Sequence, residues 1–221
     1  MSNLLLLLVL LVMAAYLYRK YQHDQSTTKQ GRGRLLDDCI NLLTAPSLLQ
    51  QGMDFPKLNG IYDGYSVSLE LLVDTLAVRK VPPLWLMVNI KGKRPINGSL
   101  DIVVRPQNNE FYSPSWQWDG NLQAPHNWPA HSSIKYQKQP ASLDVLNQYV
   151  PVLFQDEHMK ELLVMPDFVR LTYLAKQADR GEYMIMRNSV FESEPIDKTV
   201  VEQLIKQAIA IRNALEMEHH E

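Results

Sequence analysis

The chain has 221 residues, of which 46% are hydrophobic and 21% are charged, and its formal net charge is −2. This composition is typical of a folded protein and excludes a disordered or low-complexity chain. The near-neutral charge balance argues against a nucleic-acid-binding protein, which normally carries a basic excess on one face.

The first feature along the chain is an uncharged run of fifteen residues from Leu4 to Tyr18, eight of which are leucine. As a helix this run would extend about 22 Å. The uncharged residues 1–3 lengthen it towards the ~30 Å of a hydrocarbon core, and tyrosines at its C-terminal end suit the bilayer interface. We therefore expect residues 1–19 to form a single transmembrane anchor.

The same run could instead be a cleaved signal peptide, with a poor small-residue cleavage site between Val12 and Ala15. A signal peptide normally carries cations before its apolar core. Here no Lys or Arg precedes the run, and five follow it between Arg19 and Arg34. By the positive-inside rule, this bias predicts a single-pass signal-anchor in the cell membrane with the C-terminal domain in the cytoplasm.

Residues 20–33 are polar, basic and rich in Gln, Ser and Thr, which predicts a linker that could also lie on an anionic leaflet. The globular domain is expected to cover residues 34–216, followed by a polar tail at 217–221. From Arg34 to Leu43 the apolar side chains recur with the period of an amphipathic helix. Cys39 lies on this apolar stripe, which favours a buried thiol over a nucleophile. As the single cysteine, it excludes an internal disulfide and fits a reducing compartment.

Alternation with a period of two predicts a mainly antiparallel sheet in the next part of the chain. The predicted strands here are 58–62, 65–73, 84–90 and 100–104. Asp63-Gly64 has the sequence of a type I′ hairpin turn between the first two strands, and Asn97-Gly98 is expected to make a second hairpin from the last two. Because strand 84–90 carries apolar side chains on both faces, we expect the sheet to be partly covered on both sides.

The segment Phe111–His131 has no sustained period and is predicted to be a long ordered loop, of a length that is often functional. Its candidate site residues are Trp116, Trp118, Trp128, His126 and His131. The indoles could form a surface for a ligand or protein partner, or they could plug the open end of the sheet. A metal site at the two histidines would need a third ligand that the sequence does not identify, so we predict neither a metal nor a cofactor.

After a predicted strand at 132–138, Ser142 is expected to cap a helix over 143–150. A further short helix is predicted to begin at Asp156 and to end at Pro166. The charged residues near its start are Glu157, His158, Lys160 and Glu161. His158 with Asp156, Glu157 and Glu161 could be read as an acid–base or metal cluster, but their spacing matches no known ligand pattern, so we expect a solvated helix face.

A hairpin is predicted from strands 168–175 and 182–190, joined by a turn at Ala178–Gly181. Arg170 and Arg187 lie within these otherwise apolar strands, so either they face water or they line a site for an anionic group. Asp197 is expected to cap the last helix, whose wide apolar face suits packing across a sheet.

These elements predict an α+β fold: a single N-terminal transmembrane helix, then one domain with a mainly antiparallel sheet and packed helices, including a C-terminal amphipathic helix. The sequence contains no P-loop, GxGxxG, GxSxG or CxxC motif, so no catalytic residue is assigned. The favoured function is a membrane-tethered, non-catalytic binding or assembly module whose partners are the lipid bilayer and a protein at the membrane, and not nucleic acid. The alternative is a membrane-associated enzyme that acts on a lipid-like or anionic substrate through Arg170, Arg187 or the loop histidines.

Overall fold

A computed structural model of the chain describes residues 2–75, 81–92, 95–107 and 110–218. The first element is helix α1, Ser2–Gly33, whose 32 residues extend about 48 Å. Among the described residues, α1 is the one helix that is long and apolar enough to cross a membrane. None of the most apolar stretch of α1 is buried against the rest of the protein. Residues 20–33, expected to be an unpacked linker, continue this helix.

The C-terminal end of α1 is fastened to the domain by contacts that the sequence did not suggest. The Arg32 guanidinium donates a hydrogen bond to the Met53 carbonyl oxygen at 2.7 Å and lies over the Phe55 ring, 4.6 Å from its centroid. Burial lowers the pKa of Arg32, although the charge of Asp54 opposes this effect. The Gln50 side chain donates to the Lys29 carbonyl oxygen at 3.0 Å. The end of the helix is therefore held against the fold.

A 3₁₀ helix, Arg34–Leu42, follows α1 directly and buries Leu35, Leu36 and Cys39. The predicted amphipathic segment is thus present, although with the tighter helical geometry. Burial raises the pKa of the Cys39 thiol to about 12, and the charges of nearby aspartates add to the effect. The thiol is buried, as the sequence indicates.

The domain is built on one nine-stranded antiparallel sheet with the order β1-β2-β3-β4-β9-β8-β5-β7-β6. The strands are β1 Thr44–Leu49, β2 Lys57–Tyr62, β3 Tyr65–Val73, β4 Pro83–Lys91, β5 Leu100–Val104, β6 Gly120–Leu122, β7 Ser132–Tyr136, β8 Met159–Val164 and β9 Phe168–Gln177. The hairpin of β2 and β3 turns at Asp63 and Gly64, both with positive φ, which confirms the predicted type I′ turn.

The remaining helices are α2 Leu143–Leu146, α3 Val150–Leu153, α4 Arg180–Met186 and α5 Lys198–Glu218. Asp197 accepts a hydrogen bond from the Thr199 N–H at 2.8 Å at the start of α5, as expected of a cap. The apolar stripe of α5 packs on the face of β4 and β9 that carries Leu86 and Val88. Segment 110–118 lies against the opposite face, where Tyr112 packs near Trp85 and Ser113 bonds to Asp101, so this part of the sheet is covered on both sides.

The predicted hairpin between strands 84–90 and 100–104 is wrong. β4 pairs with β9, and β5 pairs with β8 and β7. The hairpin of β8 and β9 inserts between β4 and β5, and reciprocal hydrogen bonds between Met165 and Phe168 close its turn. Gly98 does turn with φ of 77°, but the chain then leads to a strand that lies three positions away from β4 in the sheet.

Two other secondary-structure predictions are also wrong. Residues 159–164, which were expected in a helix, form strand β8. An apolar run of this length is too short for its periodicity to distinguish a helix from a strand. Residues 180–186, expected in a hairpin, form α4. The Asp179 side chain accepts a hydrogen bond from the Glu182 N–H at 2.7 Å, so the supposed turn is a helix N-cap.

Candidate functional site

The candidate site is a group of buried polar side chains on the face of the sheet opposite α5. Strand register places them in two rows: Asp101 and Arg170 both pair with Leu163, while Glu161 pairs with Thr172. Directly paired residues of antiparallel strands point to the same face. Four strand positions from distant parts of the chain therefore meet beneath segment 110–118.

Glu161 is the centre of this group, and its carboxylate is fully buried. Arg170 donates to both of its oxygens, from Nη2 to Oε1 at 3.0 Å and from Nε to Oε2 at 3.1 Å, and the Thr172 hydroxyl also donates to Oε2. The Arg170 Nη2 atom donates a further bond to the Tyr112 carbonyl oxygen at 3.0 Å. The guanidinium thus pairs a buried charge and holds the covering segment to the sheet.

Asp101 supplies a second buried carboxyl group beside Glu161. The Ser113 hydroxyl donates to its Oδ2 atom, while its Oδ1 atom has no hydrogen-bond partner among the described residues. Burial and the negative charge of Glu161 raise the pKa of Asp101 to about 7, against the lowering effect of Ser113, Ser115 and Arg170. The pair of carboxyl groups can therefore hold a proton near neutral pH.

Lys160 makes a second link between the sheet and segment 110–118. Its ammonium group donates to the carbonyl oxygens of Val104 and Arg105 and to Glu110 Oε1, all within 3.0 Å. Burial lowers the pKa of Lys160, although Glu110 opposes this effect. Lys160 and Glu161, predicted to lie on a solvated helix face, are both buried, so that prediction is wrong. β8 is a central strand with both faces covered.

A cavity of about 340 Å³ adjoins the buried group, and Trp85, Tyr112, Glu110 and Lys160 are among the residues that line it. The rings of Trp85 and Tyr112 lie 6.2 Å apart between centroids. Burial raises the pKa of Tyr112, and the charge of Glu161 adds to the effect. Neither Asp101 nor Glu161 lines the cavity among the described residues, so the two carboxyl groups are enclosed away from it.

The three tryptophans of the predicted aromatic loop have different environments. Trp118 and Trp128 are buried, and the Trp128 Nε1 atom donates to Asn147 Oδ1 at 2.9 Å. Trp116, in a short 3₁₀ helix Pro114–Gln117, is 69% exposed. Two indoles therefore pack into the domain as the plug interpretation expects, and Trp116 is available for contact with another molecule.

The remaining predicted site residues are dispersed. Arg170 belongs to the buried group, whereas Arg187 ends α4 and lies over the Tyr183 ring, 5.5 Å from its centroid. His131 lines a shallow surface depression with Arg105. No contact among the described residues joins His126, His131 or Arg187 to the buried carboxyl groups, and no group of metal-binding side chains occurs there.

Sequence analysis missed Asp101, Glu161 and Lys160 as members of a buried group. One signal was present: Asp101 stands within the apolar run LDIVV, and Lys160 and Glu161 precede another apolar run. A charge inside a strand that is covered on both faces must be paired. The group as observed fastens segment 110–118 to the sheet through charged hydrogen bonds at Glu110, Tyr112 and Ser113.

The sequence matches no protein-family model and no curated protein. Among solved structures, the fold is similar to the crystal structure of the mycobacterial trehalose monomycolate transport factor A, TtfA, with a TM-score of 0.44. The identity is 10%, and the similarity covers 84% of this chain and 94% of that chain. A similarity at this level carries no information about activity.

Proposed function

We propose that this chain is a membrane-tethered binding or assembly module, in which α1 crosses the bilayer and holds the domain beside a protein partner on the cytoplasmic side. One observation carries the proposal: the large apolar side chains from Leu5 to Tyr18 are each 51–68% exposed. Leucines of this run favour insertion by roughly 0.5 kcal/mol each. A bilayer is the environment that buries such a surface.

The cations that follow the apolar run support the cytoplasmic orientation. Arg19 and Lys20 come directly after Tyr18, and Lys29, Arg32 and Arg34 follow within the next fourteen residues. Cations close to the end of a membrane helix favour retention on the cytoplasmic side. The contacts of Arg32 with Met53 and Phe55 also support a role in assembly, because they fix the domain relative to its anchor.

The enzyme alternative receives less support from the arrangement of the charged residues. The Arg170 side chain is 11% exposed, and its guanidinium is bound to Glu161 and the Tyr112 carbonyl oxygen. An anionic substrate would have to displace both partners. Arg187 and the loop histidines lie outside the contacts of this group, so no shared catalytic site supports the alternative.

Membrane insertion is tested by substituting Leu8→Arg and Leu10→Arg together in the full chain. Each arginine at the centre of the span costs about 2.5–3.5 kcal/mol of insertion free energy. The native chain should stay in the membrane fraction after carbonate washing, and the double variant should be released. Because these side chains are exposed, the thermal stability of the domain should not change. Release of the native chain would contradict the proposal.

Orientation and partner contact need two further measurements. A C-terminal reporter that is active only in the cytoplasm should be active, and activity of an export-dependent reporter would overturn the orientation. A photo-crosslinking residue at Trp116 should give a discrete adduct in membranes, whereas the same residue at Val152, which is 61% exposed, should not. Equal labelling at both positions would contradict a partner surface at Trp116.

A further inference from the structure

Helix α4 exposes apolar side chains that the domain does not use. Ile185 is 81% exposed, more than any other large apolar side chain described, and Met184 is 58% exposed. Val190, just after the helix, is also exposed. Single exposed apolar residues are ordinary on protein surfaces. Three exposed apolar side chains within seven residues indicate that another molecule covers this surface.

The position of α4 relative to α1 indicates what covers them. The segment 188–193 follows α4 and lines, together with α1, a cavity of about 510 Å³. On α1, Gly31 lies beside the Ser193 side chain, and both residues line this cavity. Tyr21, which is ten residues or about 15 Å earlier on α1, lines the same cavity as Asn188 and Val190. The cavity that residues 188–193 line extends along α1 from Arg32 to Tyr21, towards the membrane end of the helix. This arrangement is the basis for placing α4, which directly precedes residue 188, on the side of the domain that faces the membrane end of α1.

Tyr21 is close to the level at which the proposed span leaves the hydrocarbon. The apolar run ends at Tyr18, three residues or about 4.5 Å before Tyr21. The headgroup layer on each side of a bilayer is roughly 5–7 Å thick. Tyr21, and the start of the segment beside it, would thus lie within this layer.

We propose that Met184 and Ile185 insert into the headgroup and acyl boundary of the bilayer that holds α1, as a second membrane contact of the domain. The proposal rests on the membrane anchor proposed above. Continuity with α1 favours lipid over a protein partner, because an apolar side chain at this height meets lipid without any further molecule. Charge does not drive the contact, since Arg180 and Arg187 are accompanied by Glu182 and other acidic residues.

The chain suits a test by fluorescence quenching. Its single cysteine, Cys39, is fully buried and its thiol has a pKa raised to about 12, so it stays unlabelled at neutral pH. A fluorophore is attached to Ile185→Cys in the full chain, which is reconstituted into phosphatidylcholine vesicles that contain phosphatidylcholine spin-labelled near the headgroup or, in a second sample, deep in the acyl chain. A label at Leu10→Cys, at the centre of the span, is measured in the acyl-chain sample, whereas the other labels are measured in the headgroup sample.

Val152→Cys provides the matched surface control. α5 begins near the base of α1, where the Ile196 N–H donates to the Leu35 carbonyl oxygen, and its other end meets Ser142. The 21 residues of α5 extend about 31 Å, so the start of α2 lies roughly that far from the base of α1. Val152 on α3 has an exposure close to that of Met184.

Quenching of the labels at Leu10 and Ile185, with none at Val152, is the expected result. Quenching at Leu10 alone would overturn the second contact and leave the anchor intact, whereas no quenching at Leu10 would overturn the anchor and this inference with it. Equal quenching at Ile185 and Val152 would also overturn the inference. A label at Val190→Cys should lose its quenching when Met184→Ser and Ile185→Ser are added, and retention of quenching would contradict their insertion.

Discussion

Removing the Arg170 guanidinium should destabilise the domain strongly, because Glu161 would remain buried without its cation. In Arg170→Met the carboxylate keeps the Thr172 hydroxyl as a donor but loses two hydrogen bonds from arginine. Breaking a buried ion pair from one side costs about 3–5 kcal/mol. For a domain of this size 1 kcal/mol corresponds to roughly 2–4 °C, so Tm should fall by about 6–20 °C.

The double variant Arg170→Met with Glu161→Gln separates the pair's net contribution from the cost of an unpaired charge. Most of the lost stability should return, because a neutral amide is far cheaper to bury than a carboxylate. About 1 kcal/mol should stay lost, since the Tyr112 carbonyl oxygen no longer accepts from Arg170. The measurement is thermal unfolding of the full chain in detergent, followed by tryptophan fluorescence.

Lys57→Met provides the control, because Lys57 pairs with Glu70 on the surface of the sheet. An exposed pair contributes about 0–1 kcal/mol, so this change should be small. If Arg170→Met lowered stability no more than Lys57→Met does, Glu161 would not be a buried charge that depends on arginine. The account of the covered face would then be wrong.

Three further predictions concern pH, the indoles and a turn. The pKa of Asp101 is raised to about 7 in the folded chain, so between about pH 4 and pH 7 the folded state binds a proton that the unfolded state has released. Stability should therefore fall as pH rises from about 4 to about 7, and in denaturant titrations Asp101→Asn should remove this pH dependence. Trp116→Ala should change stability by less than about 0.5 kcal/mol, whereas Trp118→Ala should lower it by about 3–5 kcal/mol. Equal melting temperatures for the two variants would contradict this prediction. Gly98→Ala should lower the denaturation midpoint, because φ is 77° and a Cβ would lie 2.5 Å from the Pro140 carbonyl oxygen; an unchanged midpoint would show that the turn relaxes.

Elements with a complete local signal were predicted correctly. The β2–β3 hairpin has alternating apolar residues on both sides of Asp63-Gly64, whose backbone can adopt positive φ. The final helix has the Asp197 cap and a sustained apolar stripe. In both cases neighbours in the sequence provide the interactions that specify the structure.

Short elements without such a signal were predicted incorrectly. Strand β8 has six residues, and its burial on both faces removes the alternation that identifies a strand. In α4 the Asp179 cap and Glu182 were present, but a seven-residue segment that ends in the apolar run 183–186 suits a strand equally well. Packing against neighbouring elements determines the secondary structure of such segments, and the local sequence does not show those contacts.

The sequence by itself determined the apolar N-terminal helix, the α+β class and the amphipathic helix at the end of the domain, because each follows from composition and period. Only the tertiary structure decided that Arg170 pairs with Glu161 and that Asp101 lies beside them. Those three residues lie on strands β9, β8 and β5, and only register between strands brings them onto one face. Whether a charged side chain meets water or a buried partner depends on which strand lies beside it, and non-local pairing sets that choice.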